Sequence, residues 1–291
     1  MQDDPRPRLA GLGDEAAADL TGQLAAVRRL GWRSIELRTV GGVPLADLDG
    51  ADLRRTVRQV RAAELDVVCL ASRIGNWARP ITAPFDDDLR ELDVLAEQCR
   101  DLGSRYVRIM SYPNDGLPEP EWGARARDRV AKLAERAAEH GVALLHENCA
   151  GWAATDADRT LRLLAEVPSL RLLFDTGNGV EHGYSAPELL RPLIGHVAHV
   201  HVKDATGSPG AVMYVPPGEG TARVADCLRL LLNSGYEGAY SLEPHLVARP
   251  HHGVRADETA ADRFVDAGRA LERLLGRLSA PYTAVTAPGR T

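Results

Sequence analysis

The sequence predicts one α/β domain built as a (β/α)8 barrel, the TIM barrel architecture, and three observations lead there. Apolar runs of four to six residues, rich in Val, Ile and Leu, alternate with segments of helical period along the chain. Eight such pairs can be placed without an antiparallel hairpin signal between them, which favours a closed parallel barrel over an open doubly wound sheet. A length of 291 residues suits one barrel, since ~250 residues commonly form one such unit.

In chain order, RLAGL (8–12) opens the first unit, and its helix is expected over 15–30, stopped by Gly31. RSIEL (33–37) and a helix over 53–64 form the second. DVVCLA (66–71) with 86–102, stopped by Gly103, forms the third, and RYVRIM (105–110) with 121–140, stopped by Gly141, the fourth. VALLHE (142–147) precedes a helix over 156–166, and RLLFD (171–175) precedes one over 186–194. VAHVHV (197–202) with 222–234, stopped by Gly235, and GAYSLE (238–243) with 258–278 complete the set. The barrel is expected over 1–280, and the Pro, Thr, Ala and Gly-rich stretch 281–291 reads as a flexible C-terminal tail.

The formal charge of −6 is spread over both signs without a basic run, which argues against nucleic-acid binding. Cys69, Cys99, Cys149 and Cys227 lack CxxC spacing and read as buried free thiols. The N-terminus carries no basic region followed by an apolar stretch, and no run of ~18 apolar residues occurs, so a cytoplasmic protein without membrane contact is expected. No GxGxxG or GxxxxGK[ST] marks a nucleotide site. The oligomeric state stays open, a homo-oligomer included.

In a barrel the active site gathers at the carboxyl ends of the strands. Four neighbouring strands close on polar groups: Glu147, Asp175, His201 and Glu243. Strands ~4.8 Å apart let such side chains converge on one ion, and three carboxylates with one imidazole suit Mn2+ or Mg2+, with Co2+ or Zn2+ as alternatives. Taken singly, each acidic residue is more often a helix cap or a solvated loop group, and His201 more ordinarily a hydrogen-bonded core histidine, with His199 as rival ligand. The coincidence across four consecutive strands shifts the balance to a metal site.

Further candidates for substrate binding surround these ends. Glu36 and Lys203 suit hydroxyl recognition, against the alternative of structural ion pairs. Asn76, Trp77, Trp152 and Tyr214 lie in loops after strands, where aromatics pack on sugar faces but equally serve as lids or interfaces. His182 is placed to donate a proton, although an exposed loop histidine is the ordinary reading. His146 should point away from the barrel axis by alternation.

These residues resemble the xylose-isomerase-like barrel superfamily, in particular its sugar phosphate isomerase/epimerase family with sugar 3-epimerases and inosose dehydratases. GWRSIEL around Glu36, LLHEN, LLFDTGN, HVAHVHVKD, the PGEG segment at 217–220 and GYEGAYSLEPH carry the resemblance, over about residues 9–275. It implies that Glu147, Asp175, His201 and Glu243 ligate one divalent ion, that His201 rather than His199 is the ligand, and that Glu147 and Glu243 act as acid and base. In the ketohexose epimerases of that family three further polar residues grip the substrate; here those positions hold Ala153, Asn178 and Gly207.

The expected function is a metal-dependent isomerase or epimerase for a small polyhydroxylated keto-sugar, sugar phosphate or cyclitol, working through an enediolate. A lyase or dehydratase on the same four ligands is the alternative, and a non-catalytic carbohydrate-binding barrel the outside one. A three-metal nuclease is disfavoured because no histidine precedes His140.

Overall fold

The computed structural model describes residues 7–250 and 253–279; the expected tail at 281–291 lies outside them. Eight strands form one parallel sheet: β1 (Arg8–Gly11), β2 (Ser34–Leu37), β3 (Asp66–Ala71), β4 (Tyr106–Ser111), β5 (Ala143–Gly151), β6 (Arg171–Asp175), β7 (Val197–Val202) and β8 (Ala239–Leu242). Their spatial order is β1-β8-β7-β6-β5-β4-β3-β2, and a parallel bridge between Leu12 and Glu36 brings the two ends together into a nearly closed barrel.

The helices between them are α1 (Leu20–Arg29), α2 (Gly50–Ala62), α3 (Phe85–Leu102), α4 (Glu119–Glu139), α5 (Ala157–Glu166), a short α6 (Asn178–His182), α7 (Ala186–Leu193), α8 (Val224–Asn233) and α9 (Ala260–Ser279). Acidic caps start several of them: Asp49 accepts from the amides of Ala51 and Asp52, and Asp156 from that of Arg159. Gly103 stops α3 in the left-handed region at φ 73°, which a Cβ disfavours. Trp32 Nε1 donates to Glu272 Oε1 at 2.8 Å, tying α9 back onto the start of the chain.

The main apolar core fills the layer between barrel and helices. Smaller groups, Ala10 with Val68 and Ala239, and Cys69 with Leu145 and Leu173, stand apart from it, as expected for inward-pointing positions of the strands. The C-terminal ends of the strands are therefore the place where the interior turns from apolar to polar.

Three expectations need correction. The first helix begins at Leu20, not near 15: Asp19 caps it by accepting from Gly22 N at 3.0 Å, and Gly13–Glu15 forms a separate 3-10 turn whose acidic side chains bond to Arg38. Two antiparallel hairpins do occur, Thr39–Val40 with Val43–Pro44 and Asp204–Ser208 with Ala211–Val215. They sit in the loops after β2 and β7, so local turns make them without interrupting the parallel ladder. Cys149 is half-buried, unlike the buried Cys69, Cys99 and Cys227, because β5 runs on past Glu147 toward the barrel mouth. Among the described residues, no helix is long and apolar enough to cross a membrane.

Candidate metal centre

Alternation on the strands aims Glu147, Asp175, His201 and Glu243 to one place. Asp175 ends β6 in register with His201 on β7, His201 stands beside Ser241 on β8, and Glu243 follows β8 directly. One donor atom from each of the four lies within 4.8 Å of every other, and all four residues are buried. His201 Nδ1 is 3.2 Å from Glu243 Oε2 and 3.9 Å from Glu147 Oε1. Three carboxylates and one imidazole converging in a buried site form a donor set of hard oxygen and nitrogen that suits a divalent ion.

Two buried atoms test that fit. Asp175 Oδ2 and His201 Nδ1 both lack a directed hydrogen bond, although Lys203 Nζ stands 3.0 Å from the former. Each is met by an ion pair instead, His201 Nδ1 by Glu243 Oε2 at 3.2 Å and Asp175 Oδ2 by Lys203; buried polar atoms without a well-formed hydrogen bond are uncommon. The other atoms of the same side chains are fully engaged. Asp175 Oδ1 accepts from the amides of Gly177 and Asn178 at 2.7 and 2.8 Å, and Asn148 brackets Asp175 by bonding both its amide and its carbonyl.

The imidazole is held in the same manner. Glu36, completely buried, takes His201 Nε2 at 3.0 Å and His199 Nε2 at 2.7 Å, leaving Nδ1 of His201 as the ring nitrogen directed at the donors. A carboxylate behind a histidine ligand fixes its tautomer and orientation. Glu36 thus lies behind the two imidazoles, fully buried, with its carboxylate oxygens engaged by them. Burial opposes its charge, but His201 and His199 override that and keep its carboxyl well below the usual range.

Cations balance the carboxylates. Lys203 Nζ lies 3.0 Å from Asp175 Oδ2 and 3.4 Å from Glu243 Oε2, Arg108 Nε lies 3.3 Å from Glu147 Oε2, and Arg38 Nη1 bonds Glu243 Oε1 at 2.7 Å. Burial alone would raise Glu243, yet Lys203 and His201 hold it well below the usual carboxylate value, while burial leaves Asp175 raised. Arg38, Arg108, Asn148 and His245 were not singled out in the sequence. A charged residue inside the apolar run YVRIM was the one local signal, at Arg108.

The remaining candidates divide. Lys203 is at the donors. Tyr214, on the second hairpin, stacks edge-on against His245 with centroids 4.8 Å apart and donates to Glu181 Oε2 at 3.1 Å, so it belongs to the rim. His182 ends α6 and is exposed. Trp152 is buried elsewhere: its Nε1 donates to Glu119 at 2.9 Å and the Arg127 guanidinium stacks 4.8 Å from its ring. Asn76 spends its side-chain oxygen on Ala78 N at 3.0 Å to close a turn, and Trp77 is exposed beside it. His146 is fully buried, and its burial pushes the imidazole pKa down to about 4.

The positions matching the substrate grip also differ in kind. Ala153 is in the core, Gly207 lies in the hairpin, and only Asn178 reaches the centre, with Nδ2 3.3 Å from Glu147 Oε1. The PGEG segment does form an anion cradle, but a side chain of the chain itself fills it. Asp204 accepts from the amides of Gly218, Gly220 and Ala222 at 2.8, 3.0 and 3.3 Å.

Lys203 makes one outcome measurable. An ammonium next to two donors competes with a metal ion for their charge, and one unit charge at such separation in a buried site is worth several kcal/mol. Lys203→Met is expected to tighten Mn2+ binding roughly tenfold or more, read by calorimetric titration, while turnover falls. Unchanged affinity would show that the ammonium does not contend for the site.

A family model described as xylose isomerase-like TIM barrel matches residues 24–264. An inosose dehydratase of Geobacillus kaustophilus is 23% identical, over 88% of this chain and 90% of that one. L-ribulose-5-phosphate 3-epimerase UlaE of Salmonella typhi is 38% identical, over 76% of this chain and 80% of that one. Among solved structures, IolI protein with a bound zinc atom superposes with a TM-score of 0.74 at 17% identity, covering 93% of this chain and 99% of that one.

Proposed function

We propose, from the premise that this chain belongs to the xylose isomerase-like TIM barrel family, that it is a divalent-metal-dependent isomerase or epimerase. Its substrate is a small polyhydroxylated ketone, a keto-sugar or cyclitol. The observation that carries the reading is the buried convergence of Glu147, Asp175, His201 and Glu243, one donor atom of each within 4.8 Å of the others. Mn2+ or Mg2+ fits these hard donors best, and the zinc atom of the IolI protein supports a divalent ion in this fold. When bound, the ion would act as a Lewis acid that stabilises negative charge developing on a carbonyl oxygen.

The chain's own residues perform the remaining work. Glu147 and Glu243 descend from β5 and β8, with β6 and β7 between them, so the two carboxylates approach the substrate from different sides of the centre. One removes the C–H proton next to the carbonyl, and the other returns a proton to the resulting enediolate. Return to the other face of the same carbon gives an epimer, and return to the neighbouring carbon gives an aldose–ketose isomer. Glu36 holds the His201 ring, while Lys203 and Asn178 present hydrogen-bond donors beside the carboxylates. Since Asp204 fills the PGEG cradle, that segment offers no phosphate site, which favours an unphosphorylated substrate.

Elimination is the second reading, and a specific observation favours it. Ala153 and Gly207 cannot grip a ketohexose, and the match to an inosose dehydratase extends over most of the chain. The same enediolate would then expel its β-hydroxyl as water, the leaving oxygen taking a proton from one of the two carboxyl groups, in place of reprotonation at carbon. Incubating the Mn2+-loaded protein with keto-sugars and keto-inositols in heavy water separates the readings. Deuterium uptake without ultraviolet absorbance supports the isomerase or epimerase, a growing enone band supports the lyase, and neither signal with tight ligand binding would leave a carbohydrate-binding barrel.

A further inference from the structure

A second donor cluster adjoins the first. Donor atoms of Glu15, Glu243 and His245 lie within 4.8 Å of one another, all three residues are buried, and Glu243 belongs to both clusters. The two oxygens of Glu243 are divided between them. Oε2 faces His201 Nδ1 at 3.2 Å in the first, while Oε1 accepts from Arg38 Nη1 at 2.7 Å in the second. One carboxylate shared between neighbouring cation positions is the arrangement of a two-metal site, whose ions stand ~3.5–4 Å apart.

The second position already holds a cation, and it is part of the chain. Arg38 Nη2 contacts Asp14 Oδ1 at 2.9 Å and Glu15 Oε1 at 3.1 Å, and its Nε bonds Asp14 Oδ2 at 3.0 Å. Glu15 is further fixed by His245, whose Nδ1 and backbone amide reach its two oxygens at 2.8 and 2.7 Å. Three carboxylates therefore enclose one permanently charged, planar guanidinium that matches their geometry. A second divalent ion entering there would have to displace a buried side chain that cannot lose its charge.

We propose that Arg38 is a built-in cation that occupies the second metal position, limits the centre to one divalent ion, and locks Glu243 in its ligating orientation. Arg38 is in this account a positioning residue that acts through Glu243. The inference rests on the metal reading of the first cluster and adds what sets its nuclearity.

Metal content of the purified, folded protein tests it, after dialysis against Mn2+ and desalting, together with the Mn2+ electron paramagnetic resonance spectrum. The native chain is expected to hold one ion even from a large excess, with the spectrum of an isolated Mn2+. Arg38→Met is expected to hold two, with the broadened signal of a coupled pair, Arg38→Lys one, and Arg38→Met with Glu15→Gln one again. Arg38→Gln, which keeps a planar amide in the space, is measured beside Arg38→Met in case the latter folds poorly, and two ions are expected there as well. One ion in either folded uncharged variant overturns the proposal, as do two ions in the native chain. No ion in the native chain would instead overturn the metal reading on which it rests, so the two failures are distinct.

Discussion

Glu147→Gln is expected to lower turnover by about a thousandfold, within the ~10²–10⁴ that a positioned general acid or base contributes. The amide matches the carboxylate in shape, so the fold should survive, but it neither accepts a proton from carbon nor brings ligand charge. The surroundings make the loss specific. Glu147 is buried against Arg108 Nε at 3.3 Å and Asn178 Nδ2 at 3.3 Å. Steady-state rates with any active keto-sugar, metal content of the variant, and deuterium exchange at the substrate carbon read the outcome together. Retained exchange and full Mn2+ content in Glu147→Gln would remove this residue from the mechanism. The same substitution at Glu243 carries a second consequence, because the amide also weakens the contact with Arg38.

The other large effect belongs to Glu36, which touches no substrate in this reading. Glu36→Ala leaves His199 and His201 in the buried interior without the carboxylate that now holds both. Breaking a buried ion pair by removing one partner typically costs ~3–5 kcal/mol, and a domain of this size loses roughly 2–4 °C of Tm per kcal/mol. A fall of about 10 °C in thermal midpoint is expected on these scales. Metal affinity should fall about 10–100-fold, as for other groups that orient a ligand from behind. Thermal unfolding and Mn2+ titration are separate measurements. A large loss of stability with native Mn2+ affinity would make Glu36 a structural residue only, and neither effect would exclude the histidine-orienting role.

Much of the barrel was legible because its signals are local. Alternating strand and helix periods place all eight strands to within a few residues, and glycines such as Gly103 stop helices where the pattern ends. The first helix was misplaced for a tertiary reason: Asp14 and Glu15 suit a helix start by composition, but Arg38 draws them into another turn. Trp152 and Asn76 were plausible on their loops, yet Glu119 with Arg127 claims one and a local turn the other. The hairpins after β2 and β7 are short features inside loops, where periodicity carries no information.

The sequence by itself determined that four polar side chains end four successive strands, because strand alternation and the parallel order of the barrel send them to one mouth. Which nitrogen of His201 faces that mouth was decided only by the fold. His199 and His201 share one face of β7, and Glu36, more than 160 residues away in the chain, takes the Nε2 of each and turns His201 Nδ1 to the centre. The cation set was decided in the same way. Arg38 meets Glu243 across 205 positions and Glu15 meets His245 across 230, pairings that no local pattern encodes because they exist only once the first and last strands of the barrel stand side by side.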